Sequence, residues 1–255
     1  MAAGIGSRLE NISGNRPKCL IEMDGISLIS RSVSLLAARG ITDITVITGY
    51  KSELVQQELQ NRVSYLHNPY FEVTNSIASL WLAKELLYED LILMNADLYY
   101  ETAVLDTALA QSGNAVMLSD STRIIDADFR FGVAGDRILK TGNQLTDLET
   151  DCEYVGIVRI DKRFVERFRL RLEQMIKSGD FRNWWEGVLY SFIDEGVAIT
   201  HKDVEGAFWS EVDHLEDYNR LSSWISRPQQ AFTATRNKAQ PAGHLNGRGT
   251  PSTAV

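Results

Sequence analysis

The sequence predicts an α/β fold: a mostly parallel sheet with helices on both faces and a small antiparallel insertion. Two observations carry this reading. Between residues 19 and 119, short β-branched or apolar runs alternate with stretches of helical period, the pattern of a doubly wound, Rossmann-like sheet. Beyond Ser119 the alternation stops. The polar stretch 120–152 holds two short apolar pieces, 129–133 and 137–139, around Ala134-Gly135-Asp136, which reads as an antiparallel hairpin.

The elements follow in order. Residues 19–23 form a brief strand turned at Gly25, and residues 28–39 an amphipathic helix with Leu28, Ile29, Val33 and Leu36 on one side and Gly40 as its stop. Residues 44–48 are a β-branched strand ended by Gly49-Tyr50, residues 51–60 a helix, and residues 63–66 a strand. After Asn68-Pro69-Tyr70, residues 73–83 form a helix whose first turn is rich in Asn, Ser and Thr, a capping composition. Leu91-Ile92-Leu93-Met94 is apolar throughout and predicts a buried central strand. A helix at 101–111 and a strand at 115–118 precede the insertion, which could wall or lid a site with Asp126 and Asp128 beside it. Residues 153–160 return to the main sheet. Asp161 then caps a basic amphipathic helix running to 178, whose charges are a solvated face. A helix at 180–195, a strand at 197–200 and a helix at 214–225 complete the domain, placed at 1–226; residues 227–255 lose apolar content and read as a disordered tail.

Composition narrows the function. The 255 residues, 44% apolar and 24% charged, suffice for one sizeable core. A net charge of -8 argues against a broad nucleic-acid footprint. No apolar run is long enough for a bilayer, and no secretory segment is present. The two cysteines, Cys19 and Cys152, make no disulfide framework. A cytoplasmic protein is expected, with neither nucleic acid nor membrane as partner.

The chemistry concentrates at the start. Ala2-Ala3-Gly4-Ile5-Gly6-Ser7-Arg8 leads to Arg16-Pro17-Lys18. Glycines let backbone approach a ligand, successive N–H groups can cradle an anion, and Arg8 and Lys18 add charge. A polyphosphate fits. The spacing is neither of the two familiar glycine-rich fingerprints. Asn75 and Ser79, four apart, share a helix face and could meet a base edge. Asn95-Ala96-Asp97 follows the apolar run 91–94, where ligands bind in open α/β sheets, and packing explains Asp97 poorly. Asp213 likewise closes an aromatic segment, 208–213.

The string Ala-Ala-Gly-x-Gly-x-Arg-Leu followed by Arg-Pro-Lys resembles the signature loop of the nucleoside-triphosphate transferases that make sugar nucleotides and CDP-alcohols. Thr74-Asn75, Ser79-Leu80-Trp81 and residues 209–221 extend the resemblance to bacterial choline-phosphate cytidylyltransferases and their phosphonate-activating relatives, over most of residues 1–225. The sugar-1-phosphate branch usually carries Gln-x-x-Pro-x-Gly where this chain has residues 75–79. Related enzymes often carry Gly-Lys-x-Leu where this chain reads Gly142-Asn143-Gln144-Leu145, a departure that weakens the assignment of a cationic role to Asn143.

The resemblance implies a nucleotide-diphospho-sugar transferase-like fold and transfer of CMP from CTP to a phospho-alcohol or phosphonate acceptor. It implies Mg²⁺ on Asp97 and Asp213. Lys18 and Arg8 would act on the phosphates; Ala2, Ala3, Gly4, Gly6, Ser7, Asn75, Ser79 and Asn95 would hold the nucleotide. A choline-like acceptor would want aromatic faces and a carboxylate, from Trp184, Trp185, Tyr190, Trp209 and Glu186. A homodimer is compatible with the sequence. Relatives have a hydrophobic strand before Ala-Ala-Gly, so such a strand is expected upstream of Met1. Competing readings are a sugar-1-phosphate nucleotidyltransferase using UTP, dTTP or GTP, a non-catalytic nucleotide-binding regulator, and an inactive truncation.

Overall fold

A computed structural model of the chain describes residues 1–4, 6, 14–125 and 127–227. Lys18–Leu20 is a single 3-10 turn. Strands β1 (Glu22–Met23) and β2 (Ile26–Ser27) then pair as a tight hairpin. Asp24 and Gly25 at its tip have φ of 53° and 73°, the left-handed pair that matches strand twist in two-residue hairpins. Helix α1 (Leu28–Ala37) starts at Ser27, whose Oγ accepts from Ser30 N at 3.2 Å. Strand β3 (Thr45–Thr48), α2 (Ser52–Leu59) and β4 (Ser64–His67) make a parallel βαβ unit. The chain continues through α3 (Ser76–Leu82), β5 (Leu91–Met94), β6 (Leu98–Tyr100), α4 (Thr102–Leu109) and β7 (Ala115–Asp120). The insertion is the hairpin β8 (Arg130–Ala134) and β9 (Arg137–Gly142). Then come β10 (Cys152–Ile160), α5 (Lys162–Lys177), α6 (Gly187–Asp194), β11 (Thr200–Asp203), β12 (Trp209–Glu211) and α7 (Leu215–Ile225).

The main sheet has the order β5-β10-β7-β11-β9-β8. It is mixed where a mostly parallel sheet was expected. β7 and β11 run parallel, but β10 is antiparallel to both β5 and β7. The reason lies in the connection: β7 leads into the hairpin and back, and without a crossover helix the returning strand runs the other way. β5 pairs with β10 on one side, and its four residues are partly buried where a fully buried strand was expected. Met1 and Ala2 lie on its other side and link it to β3: Ala96 N donates to Met1 O (3.1 Å) and Ala2 N to Ile47 O (2.9 Å).

Alternation along β10 buries both sheet faces, as expected. Tyr154, Val158 and Ile160 pack with α3, α5 and α6; Val155 and Ile157 pack with α4, Leu98 and Trp209. On α5, Phe164, Val165, Phe168, Leu172 and Ile176 form the buried stripe, and Asp161 caps the helix by accepting from Arg163 N at 2.9 Å.

Three expected elements shift. Residues 19–20 belong to the 3-10 turn. The helix expected at 180–195 begins only at Gly187, because the carbonyls of Phe181 and Asn183 accept from Asn75 N (2.8 Å) and Ile77 N (3.3 Å) at the start of α3. The strand expected at 197–200 runs Thr200–Asp203, since Val197 N closes the end of α6 on Phe192 O (2.9 Å). β6 and β12, pairing antiparallel, complete the site scaffold. Among the described residues no helix is long and apolar enough to cross a membrane. The tail from 228 onward lies outside the described residues.

Phe168→Ala empties a position with 0% exposure and should cost about 3–5 kcal/mol of unfolding free energy. Glu166→Ala, on the exposed face of the same helix, should stay within about 0.5 kcal/mol. Equilibrium denaturation of the two variants checks the difference.

Candidate active site

Asp97 stands in the turn from β5 to β6, and Glu211 and Asp213 at the end of β12. The β6–β12 ladder pairs Leu98 with Glu211, and Val212 N donates to Asp97 O at 3.1 Å. Residues more than a hundred positions apart are thereby fixed side by side. One carboxylate oxygen from each of Asp97, Glu211 and Asp213 lies within 4.8 Å of the others. Lys18 Nζ reaches Asp97 Oδ2 at 2.7 Å and also bonds Asp213 Oδ1. Its stem passes Gly6, where a Cβ would collide with Lys18 and where φ is 66°; glycine is required there on both counts.

Lys18 alone does not balance three carboxylates. Burial works against the charge on Lys18, but Asp97 and Asp213 outweigh it and hold its pKa above the ordinary lysine value. Burial likewise works against charge on Asp97, and Lys18 nevertheless keeps it below the usual carboxylate range. Glu211 is left over: burial first, then Asp97 and Asp213, push its pKa well up. An all-oxygen donor set with surplus negative charge fits a hard divalent cation.

The cluster lines a cavity of about 440 Å³. Ala3, Gly4, Asn75 and Ser79 border it. Ala3 O accepts from Tyr50 N (3.3 Å) and lies against Gly49, which has no room for a Cβ. Asn75 is the N-cap of α3, accepting from Ser76 N at 2.7 Å. Ser79 Oγ accepts from the buried Asn68 Nδ2 at 2.9 Å, which fixes the hydroxyl at the border of the cavity. Ala2 is buried in the bridge to β3. Ser7, Arg8 and Asp126 lie outside the described residues.

The opposite wall is aromatic and acidic. Tyr190 stacks on Phe129 (4.9 Å, 9°), and Trp184 meets Phe129 edge-on (6.0 Å, 82°). Glu186, also lining the cavity, is buried, which pushes its pKa up to about 7. Asn95 lies between the two ends: its Oδ1 accepts from Trp185 Nε1 (3.1 Å) and its Nδ2 donates to Glu211 Oε1 (3.3 Å). Its amide orients Glu211, and Asn95 itself borders the cavity. Two expected aromatic faces do not border the cavity. Trp185 is a core side chain, and Trp209 is buried with Nε1 on Asp120 Oδ2 (2.8 Å) and the Arg123 guanidinium over its ring. Sequence reasoning passed over Phe129, Tyr154 and His214 as lining residues, and over Glu211 as a third acid. Glu211 alone had a signal, its place two residues before Asp213.

Residues 1–138 match the family of the MobA-like NTP transferase domain. Over 250 residues the chain is 33% identical to the CMP-5'-(3-aminopropyl)phosphonate synthase of Streptomyces rubellomurinus; the match covers 90% of this chain but spans only 39% of that protein. It is 27% identical over 224 residues to the choline-phosphate cytidylyltransferase of Streptococcus pneumoniae, covering 87% and 94% of the two chains. The solved structure of the CTP:phosphocholine cytidylyltransferase from Streptococcus pneumoniae superposes with a TM-score of 0.73 at 23% identity, over 88% of this chain and 96% of that one. The fold is thus the nucleotide-diphospho-sugar transferase-like α/β fold, with mixed sheets.

Glu186 gives a pH signature. Its folded pKa, about 7, stands above the ordinary 4.5, so in that interval the folded chain keeps a proton that the unfolded chain releases. Stability from this group is present below 4.5 and is lost as pH rises through about 7. Glu186→Gln should flatten the decline; denaturant midpoints measured from pH 4.5 to 8 would show it, and an unchanged slope would refute the assignment.

Proposed function

The chain belongs to the family of MobA-like NTP transferase domains, and on that premise we propose that it transfers CMP from CTP to a phosphorylated or phosphonate acceptor. The observation that carries the reading is the placement of Lys18 and three acids at one end of a cavity bordered by the glycine loop. In the reaction an acceptor oxygen bonds to the α-phosphorus of CTP, the bond from that phosphorus to the bridging oxygen breaks, and pyrophosphate leaves with the electron pair. The acceptor oxygen is already anionic, so no strong base is needed, and catalysis is positioning and charge neutralisation.

Asp97, Glu211 and Asp213 would hold Mg²⁺, which supplies neutralisation of the α-phosphate and the acceptor oxygen. Lys18 keeps its proton and offers a fixed positive charge to the oxygens of the α-phosphate. The backbone of Gly4 and Gly6 receives the outer phosphates, with Ser7 and Arg8 as further candidates from the loop. Asn75 and Ser79 face the nucleoside. Trp184, Tyr190 and Glu186 form the acceptor wall; Trp209 supports it only from the core. Names of the relatives favour CTP and a phospho-alcohol or phosphonate acceptor. Cytoplasmic residence suits the two buried free thiols.

A grid of CTP, UTP, GTP and dTTP against phosphocholine, aminoethylphosphonate, hydroxyethylphosphonate and glucose-1-phosphate, read by pyrophosphate release with Mg²⁺, tests the proposal. Turnover is expected with CTP and a phosphonate or phospho-alcohol. Lys18→Ala should lower kcat by about 10²–10³-fold. Turnover only with glucose-1-phosphate, or unchanged turnover in Lys18→Ala, would contradict it.

A further inference from the structure

Behind the three acids lies a set of polar side chains with no part in the scheme so far. Arg220, on α7, donates from one nitrogen, Nη2, to Ser210 Oγ at 2.7 Å and to Asp217 Oδ1 at 3.4 Å. Ser210 is fully buried in β12, and its hydroxyl donates to Glu211 O at 3.0 Å. Asp217 Oδ2 accepts from Asp213 N at 3.1 Å and from His214 N at 2.8 Å. One guanidinium thus grips the backbone of both Glu211 and Asp213, through a hydroxyl on one side and a carboxylate on the other. Leu221, buried with Val212, Ile21 and Leu28, anchors the helix that carries it.

Helix capping accounts for only part of this. Asp217 is the third residue of α7, where a carboxylate suits the helix N-terminus, and its bond to His214 N is that cap. The bond to Asp213 N falls outside the helix, and Ser210 lies in the strand before it. Burial and the neighbouring Arg123 both work against the charge on Arg220, so its place costs stability that capping does not require. The need arises at the acids. The β6–β12 ladder ends at Glu211, and the repulsion among the three carboxylates falls on a strand of three residues and the turn after it.

We infer that Arg220 and Asp217 are positioning residues for the metal site: through Ser210 and the Asp213 backbone they hold Glu211 and Asp213 at the spacing a divalent ion needs, without touching the ion. This rests on the reading of Asp97, Glu211 and Asp213 as metal ligands and goes further in naming the side chains behind them that set their affinity.

Titration of the full chain with Mn²⁺ alone, read from the electron paramagnetic resonance of the free ion, tests it without turnover. The wild type should bind Mn²⁺. Arg220→Ala and Asp217→Ala should each weaken binding about tenfold, the usual effect of losing a group that orients a metal ligand. Ser210→Ala, which removes a single hydroxyl and leaves the Asp217 arm in place, should weaken it by less. Arg220→Lys, whose ammonium can donate to the same two oxygens, should retain most of the affinity that Arg220→Ala loses. Asp161→Ala is the control: it removes the cap of α5, lowers the denaturation midpoint as Asp217→Ala does, and should leave Mn²⁺ binding unchanged. Wild-type affinity in Arg220→Ala, Asp217→Ala or Ser210→Ala, or an equal loss in Asp161→Ala, would overturn the inference and leave the metal site standing. A wild type that binds no Mn²⁺ would overturn the metal reading and the inference together.

Discussion

The site depends on the crowding of three acids around one lysine. Two like charges 4.8 Å apart repel by roughly 3 kcal/mol even at an effective dielectric of 20. Only a rigid backbone can keep Asp97, Glu211 and Asp213 that close. The β6–β12 ladder, with the Val212–Asp97 bond beside it, is that support. Lys18 relieves part of the repulsion through Asp97 and Asp213, and the residue of uncompensated charge is what makes the cluster receptive to a divalent ion and to phosphate chemistry beside it.

A second constraint ties the two ends of the cavity together. The chain from 181 to 185 gives its hydrogen-bonding groups to the start of α3: Phe181 O and Asn183 O accept from Asn75 and Ile77, and Trp185 N donates to Ser76 Oγ at 2.9 Å. Asn75 and Ser79 on one side, Trp184 and Glu186 on the other, are thus held by one set of bonds. Asn95 joins this frame to the acids through Trp185 and Glu211.

What the sequence disclosed follows from local signals. Alternating elements revealed the α/β class, and Asp97 and Asp213 stood out because each ends an apolar or aromatic run. The adjacency of those two acids was not legible from spacing, since the ladder that creates it is three residues long on each strand; the family resemblance supplied it. The mixed sheet was hidden because a strand's direction is set by its connection, and 120–152 held no helix pattern to signal the antiparallel return. Tyr154 and Phe129 read as ordinary strand residues, as period-two burial does not say which inward side chain borders a cavity. Trp209 was conspicuous by type yet packs in the core, and the late start of α6 came from long-range bonds to α3 that no local propensity reports.

The most direct measurement is anomalous diffraction from crystals grown with Mn²⁺ and a non-hydrolysable CTP analogue. A peak within coordination distance of the carboxylates of Asp97 and Asp213, with Lys18 Nζ on the α-phosphate oxygens, is the result expected. A metal peak away from these residues, or a triphosphate bound outside the cleft they face, would contradict the account.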